Sequence, residues 1–154
     1  MGRVEHFTVA GFSLALDRRY EPETHMWVLS LESDRVLVGM DPLGIETSGT
    51  LAELSFDPAG TELVAGRPFG QLEAAKFVGP LVSPITGVVL AVNRAVLGDP
   101  GLVERDPYGE GWMIEASMPA AARDFAGLLS DPDEITGWFE SKVAGYRRAG
   151  LIAE

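Results

Sequence analysis

The chain has 154 residues, of which 46% are hydrophobic and 23% charged, and 12 Lys and Arg stand against 23 Asp and Glu for a formal net charge of −11. That length fits one domain with a genuine core but not two independent ones, and that composition excludes disorder throughout. The acidic balance argues against nucleic acid as a partner, because phosphates need Lys and Arg to neutralise them.

There is no cysteine, so disulfides and a protein thiol nucleophile are excluded. No apolar run approaches a membrane span. The N-terminus carries Glu5 and Asp17 and lacks a basic apex followed by an apolar core, so neither signal nor transit peptide is expected and the cytoplasm is the expected location.

Near the N-terminus, Phe7, Val9, Phe12, Leu14 and Leu16 form a short element, and Asp17-Arg18-Arg19-Tyr20-Glu21-Pro22 reads as a connector. From Trp27 onward the periodicity is two. Trp27, Leu29 and Leu31 share a face, and Ser33-Asp34 turns into Val36-Leu37-Val38. Ala52, Leu54 and Phe56 alternate with Leu51, Glu53 and Ser55 as a half-buried strand.

Asp57-Pro58-Ala59-Gly60 and Gly66-Arg67-Pro68 are breaks. A hairpin around Lys76 comes next, then a strand over Val88–Val92, a loop through Gly98-Asp99-Pro100-Gly101, and a last strand from Trp112 to Ala116. Short strands at this spacing predict a mainly β fold, a flattened barrel or sandwich. A faint repeat supports two similar halves: Pro42-Leu43 and Pro80-Leu81, Gly49 and Gly87, and Gly60 and Gly98 recur at one spacing.

After Pro119 the pattern becomes helical. Ala121, Phe125, Leu128 and Leu129 are expected on one helix face. Asp131-Pro132-Asp133-Glu134 reads as a capping box, with Asp131 as N-cap and Glu134 reaching back. Ile135, Trp138, Phe139, Val143 and Tyr146 continue as a stripe expected in the core, and Gly150 is the stop.

Only two lysines occur, against ten arginines. Lys142 falls in the C-terminal helical pattern, where a solvated role is enough. Lys76 is different: Ala74-Ala75 precede it, Phe77-Val78 follow, and Gly79-Pro80 closes the stretch. A lysine near such a turn presents a free amine on a flexible stem, a target for acylation. Glu73 lies three residues before it, and Ser83-Pro84-Ile85-Thr86-Gly87 follows.

Here the sequence resembles the H protein of the glycine cleavage system, a lipoyl carrier whose lysine lies in Glu-x-x-Lys-x followed by Ser-Pro-x-x-Gly. His25-Met26-Trp27-Val28 resembles the family's opening strand, Val38-Gly39-Met40 its Val-Gly-Ile/Met turn, and Asp106-Pro107-Tyr108-Gly109-Glu110-Gly111-Trp112 its Asp-Pro-Tyr-Gly-x-Gly-Trp signature. A biotinyl domain is the near rival, but it flanks its lysine with methionines, whereas Ala75 and Phe77 stand here.

The resemblance implies a lipoyl-domain-like fold of two small antiparallel sheets with C-terminal helices packed on it. It divides the chain into an N-terminal extension over 1–24, a lipoyl-type β unit over 25–118 and a helical segment of the same domain over 119–154. It implies lipoate amide-linked to Lys76, with Glu73 and Gly87 helping a lipoate-attaching enzyme to recognise the domain. The partners it implies are a pyridoxal-phosphate glycine decarboxylase, a tetrahydrofolate-dependent aminomethyltransferase and a flavin-dependent dihydrolipoyl dehydrogenase, between which the arm shuttles the aminomethyl group of glycine.

No enzymatic constellation accompanies this. His6 and His25 lie in dissimilar contexts, no cluster has zinc-ligand spacing, and no serine sits in a nucleophile elbow. The expectation is a non-catalytic carrier with neither catalytic residue nor metal. Two departures from the family, the N-terminal extension and the bulky Phe77-Val78-Gly79-Pro80 where H proteins have small and acidic residues, leave an alternative open. It is an H-like lipoate-binding carrier for another route, such as heterodisulfide-reductase-like sulfur oxidation. A third reading is an unmodified interaction module with the same fold.

Overall fold

The computed structural model describes residues 6–119 and 125–153. In chain order, β1 (His6–Val9) and β2 (Phe12–Ala15) form a hairpin, followed by β3 (Arg19–Tyr20), β4 (Met26–Ser30), β5 (Arg35–Met40) and helix α1 (Pro42–Ser48). Then come β6 (Leu51–Phe56), β7 (Glu62–Leu63), β8 (Pro68–Ala74), β9 (Val78–Val82) and β10 (Gly87–Val92). Helices α2 (Arg94–Gly98) and α3 (Gly101–Arg105), strand β11 (Ile114–Ser117) and helix α4 (Pro132–Arg148) complete the chain.

The strands make three open sheets, ordered β3-β4-β5-β11-β10-β7, β6-β8-β9 and β1-β2, with every pairing antiparallel. Strand periodicity explains how the layers meet, because successive side chains point to opposite faces. On β4, Met26 and Val28 join the core shared with Leu54, Phe69, Leu72 and Leu81 of the three-stranded sheet. Trp27 points the other way, into a second core with Leu14, Tyr20, Tyr108, Ile135 and Phe139. The six-stranded sheet is therefore covered on one face by the three-stranded sheet and on the other by the β1–β2 hairpin and α4.

Residues 6–20 are thus built into the second core. Leu14, Ala15 and Tyr20 are buried, and Arg19 and Tyr20 pair with Val28 and Trp27 at the sheet edge. Arg18 is buried between the Trp27 ring, 4.5 Å from its centroid, and the Tyr108 ring, 4.9 Å away, and donates to the Tyr108 carbonyl at 3.2 Å. Such a cation between two aromatic faces contributes about 1–2 kcal/mol when desolvated.

The Ser33-Asp34 turn forms as expected, with φ of 59° and 58°, the paired positive values of the turn that matches strand twist. Val38-Gly39-Met40 does not form a turn; it lies within β5, and its glycine is needed because the Trp27 ring occupies the space of a side chain there. On β6 a register shift between Leu51 and Glu53 breaks the alternation, so Leu51 and Leu54 are buried while Ala52 is exposed.

The repeat does not extend to the backbone. Pro42 opens a helix whereas Pro80 lies in a strand, and Gly60 has a φ of 92° at a turn whereas Gly98 ends α2.

Asp131 caps α4 by accepting from the Glu134 N–H at 3.0 Å, and Ile135, Phe139 and Val143 are buried, with Trp138 and Tyr146 packed beside them. Ala121 lies outside the described residues. Leu128 and Leu129 are not helical: Leu128 lies in a bend, and Leu129 exchanges both backbone hydrogen bonds with Tyr20, at 3.0 and 2.9 Å. Among the described residues no helix is long and apolar enough to cross a membrane.

Candidate functional site

Strands β8 and β9 pair Gly70 with Leu81, Gln71 with Pro80, Leu72 with Gly79 and Glu73 with Val78. β9 is the edge of its sheet, which is where a proline such as Pro80 is tolerated. The Ala74 N–H donates to the Phe77 carbonyl at 2.9 Å and closes the hairpin, leaving Ala75 and Lys76 at its tip.

The tip is tied down from outside. The Ala75 N–H donates to the Thr50 carbonyl at 2.9 Å and the Lys76 N–H to the Ser48 carbonyl at 2.8 Å. Both acceptors lie at the end of α1, whose start is fixed by buried Asp41 accepting from the Gly44 N–H at 2.9 Å, with Pro42 at the first helical position. Gly49 supplies the turn out of α1 with a φ of 80°, in close contact with Ala75 and Lys76. The backbone of Lys76 is held while its side chain is exposed.

Lys76 stands between two depressions. One, of about 440 Å³, runs from the hairpin to the end of α4 and is walled by Met26, Met40, Phe77, Leu81, Tyr146 and Leu151. The other, of about 530 Å³, lies on the opposite flank against Phe12, Ile45 and Thr50, with Glu46 and Glu104 at its sides.

On the wall of the first groove, His25 Nδ1 is 3.2 Å from the Asp41 carboxylate and its Nε2 is 2.7 Å from the Tyr146 hydroxyl. A neutral imidazole that donates from Nδ1 to the Asp41 carboxylate accepts the Tyr146 phenol proton at Nε2. Burial pushes the Tyr146 phenol above its ordinary value, and nearby Lys142 works against that.

Glu73 shares the hairpin with Lys76; it is exposed and sits directly across from Glu53 of β6. Gly87 is on the six-stranded sheet, paired with Leu63, where any side chain would run into the Ser117 backbone carbonyl. The structure therefore brings Glu73 and Lys76 together and puts Gly87 at a position that packing alone restricts to glycine. Lys142 lies on α4 and donates to Glu23 at 3.1 Å. The Asp106–Trp112 segment is a turn folded inward: the Asp106 carbonyl accepts from the Gly111 N–H at 2.9 Å, and Tyr108 is buried against Arg18 and Tyr20.

Sequence reasoning missed α1 and the His25–Asp41–Tyr146 chain. Asp41-Pro42 was the available signal, an N-cap residue followed by proline; nothing local links Tyr146 to His25, which are 121 residues apart.

The family model described as glycine cleavage H-protein matches residues 18–140. The chain belongs to the glycine cleavage H-protein family. A glycine cleavage system H protein of Mycobacterium sp. (strain KMS) is 35% identical over 119 residues, covering 77% of this chain and 91% of that protein. One from Mycolicibacterium smegmatis is 37% identical over 112 residues, covering 71% and 86%. The crystal structure of a glycine cleavage system H protein from Mycobacterium marinum superposes with a TM-score of 0.65 at 28% identity, covering 73% of this chain and 97% of that one. The β1–β2 hairpin precedes the residues matched by the family model.

Proposed function

We propose that this H-family chain is a lipoyl carrier of the glycine cleavage system, with lipoate joined to Lys76 through an amide at Nζ. The observation that carries the reading is the geometry of Lys76: an exposed side chain on a two-residue tip whose two N–H groups are both anchored to the end of α1. A carrier needs one acylatable amine on a rigid protrusion, and tethering then raises the effective concentration of the cargo at each partner. Acylation removes one positive charge, taking the formal net charge from −11 to −12. Bound there, lipoate would supply the redox sulfurs that a cysteine-free chain lacks.

In this reading Glu73 marks the hairpin for the attaching enzyme and Gly87 holds the β9–β10 connection in the shape that enzyme meets. The chain itself performs no chemistry; decarboxylation, one-carbon transfer and reoxidation belong to the partner enzymes. The test is glycine-dependent carbon dioxide exchange with a cognate decarboxylase. The lipoylated chain should support it, and absence of exchange with a fully lipoylated chain would reject the glycine pathway.

A second reading keeps the arm and changes the partners. Phe77 and Val78, 45% and 66% exposed, put an apolar surface beside the lysine where the family has small and acidic residues. A lipoylated chain inactive in glycine exchange would move the assignment to an H-like carrier of another pathway.

A further inference from the structure

We infer that His25 is a positioning residue for acylation of Lys76: through Asp41 and α1 it sets where the hairpin tip stands when an attaching enzyme meets the lysine. The role rests on Lys76 being the lipoylated residue, and it names what presents that residue. Four hydrogen bonds run end to end between the two. His25 Nδ1 lies 3.2 Å from Asp41 Oδ2, and Asp41 Oδ1 accepts from the Gly44 N–H at 2.9 Å. The Gly44 carbonyl accepts from the Ser48 hydroxyl at 2.8 Å, and the Ser48 carbonyl accepts from the Lys76 N–H at 2.8 Å.

Asp41 divides its two oxygens between these jobs: one caps α1 and the other meets His25, while its own N–H donates to the His25 carbonyl at 2.8 Å. Asp41 is fully buried, so a carboxylate oxygen deprived of His25 has no water to turn to and is costly to leave unpaired. The cap would then swing towards another donor. Helix α1 has only 7 residues, too few to keep its direction without tertiary contacts, so a displaced cap moves its far end as well. The histidine is itself held on every side. Its φ is 64°, a left-handed conformation uncommon outside glycine but better tolerated by His and Asn than by most residues. A side chain on Gly44 would come within 2.6 Å of the His25 Cβ, so only glycine lets the two approach. Nε2 lies 2.7 Å from the Tyr146 hydroxyl, and the two rings meet edge to face at 5.6 Å. Helix α4 thus braces the imidazole, the imidazole braces α1, and α1 braces the tip. The Lys76 side chain takes no part and stays exposed.

A line of bonds is not yet coupling, and a double-mutant cycle on the full chain measures it. The readouts are NMR order parameters of the Ala75 and Lys76 amides, and KM and kcat for lipoate attachment by a lipoate-attaching enzyme. His25→Gly keeps the left-handed backbone and removes the ring, whereas Asp41→Ser keeps a capping oxygen for α1 and removes the one that His25 meets. Either should lower the tip order parameters from a rigid value of about 0.85 to below about 0.6. KM for the chain should rise severalfold with kcat little changed, because only the held fraction presents the lysine. The double variant should be no worse than either alone. His25→Asn tolerates the same backbone and offers an amide N–H near the place of Nδ1, so it should restore most of both readouts. Leu72, buried on the central strand of its sheet, should stay rigid throughout. A rigid tip in His25→Gly, additive losses in the double variant, or an Asn variant as poor as the Gly variant overturns the role of His25. So does a loss of order at Leu72 that matches the loss at Lys76, the mark of general unfolding. Failure of the unsubstituted chain to accept lipoate rejects the carrier reading instead, and the order parameters still decide whether His25 holds the tip.

Discussion

The backbone N–H of Lys76 donates to the carbonyl of Ser48 at 2.8 Å, so the residue that presents the amine is positioned by the end of a helix remote in sequence. That contact uses the main chain and leaves the side chain free. Lys76→Arg should therefore abolish acylation, since a guanidinium does not form the amide, and change unfolding free energy by no more than about 0.5 kcal/mol, as for other exposed substitutions. Mass spectrometry and urea denaturation on the same sample check both halves.

Glu73 faces Glu53 across the β6–β8 pair, two exposed carboxylates in register. Like charges directly opposite destabilise a sheet, so Glu73→Gln should raise stability by about 0.2–1 kcal/mol. If Glu73 guides the attaching enzyme, the same variant should lipoylate more slowly despite being more stable. Thermal unfolding and a lipoylation time course separate the two effects.

Gly87 is constrained by the Ser117 carbonyl, which belongs to the paired strand β11 and cannot move without breaking that pairing. Gly87→Ala should cost about 1–3 kcal/mol, the usual range for overpacking. A loss of lipoylation in this variant that follows its loss of thermal stability would mark Gly87 as a structural position first.

The three tyrosines of the chain, Tyr20, Tyr108 and Tyr146, all have phenols pushed above the ordinary value of 10.0, chiefly by burial. A phenol held protonated in the fold binds its proton more tightly there than in the unfolded chain. The stability it contributes is complete below the unfolded value and is lost as pH rises from there towards the folded value. Stability should therefore fall with increasing pH above about 10, and phenolate absorbance should rise together with the loss of circular dichroism. Ionisation of Tyr20 or Tyr108 in a chain that keeps its fold, read in a Tyr146→Phe background, would contradict their buried pair.

Much of the site could be read in the sequence because its determinants are local. Glu73 and the alternation of β8 mark a strand that ends near Lys76, whereas Gly79-Pro80, expected as a break, lies inside β9 and pairs with Leu72 and Gln71. What holds the tip is not local: Ser48 and Thr50 meet it only through the packing of α1, and the α1 start signal is two residues long. The role of residues 6–20 was equally hidden, since the hydrophobic pattern of Leu14 and Tyr20 does not say that Trp27 and Phe139 are their neighbours. The alternation on β6 misled at Ala52 because a bulge has no signature in hydrophobic periodicity.

The measurement that bears most directly on the carrier account is the intact mass of the protein from its native host, with peptide mapping over residues 68–94. A lipoyl increment confined to the peptide containing Lys76 is the predicted result. An unmodified Lys76 in a cell that lipoylates its other carriers would contradict it and leave the fold serving as an interaction module.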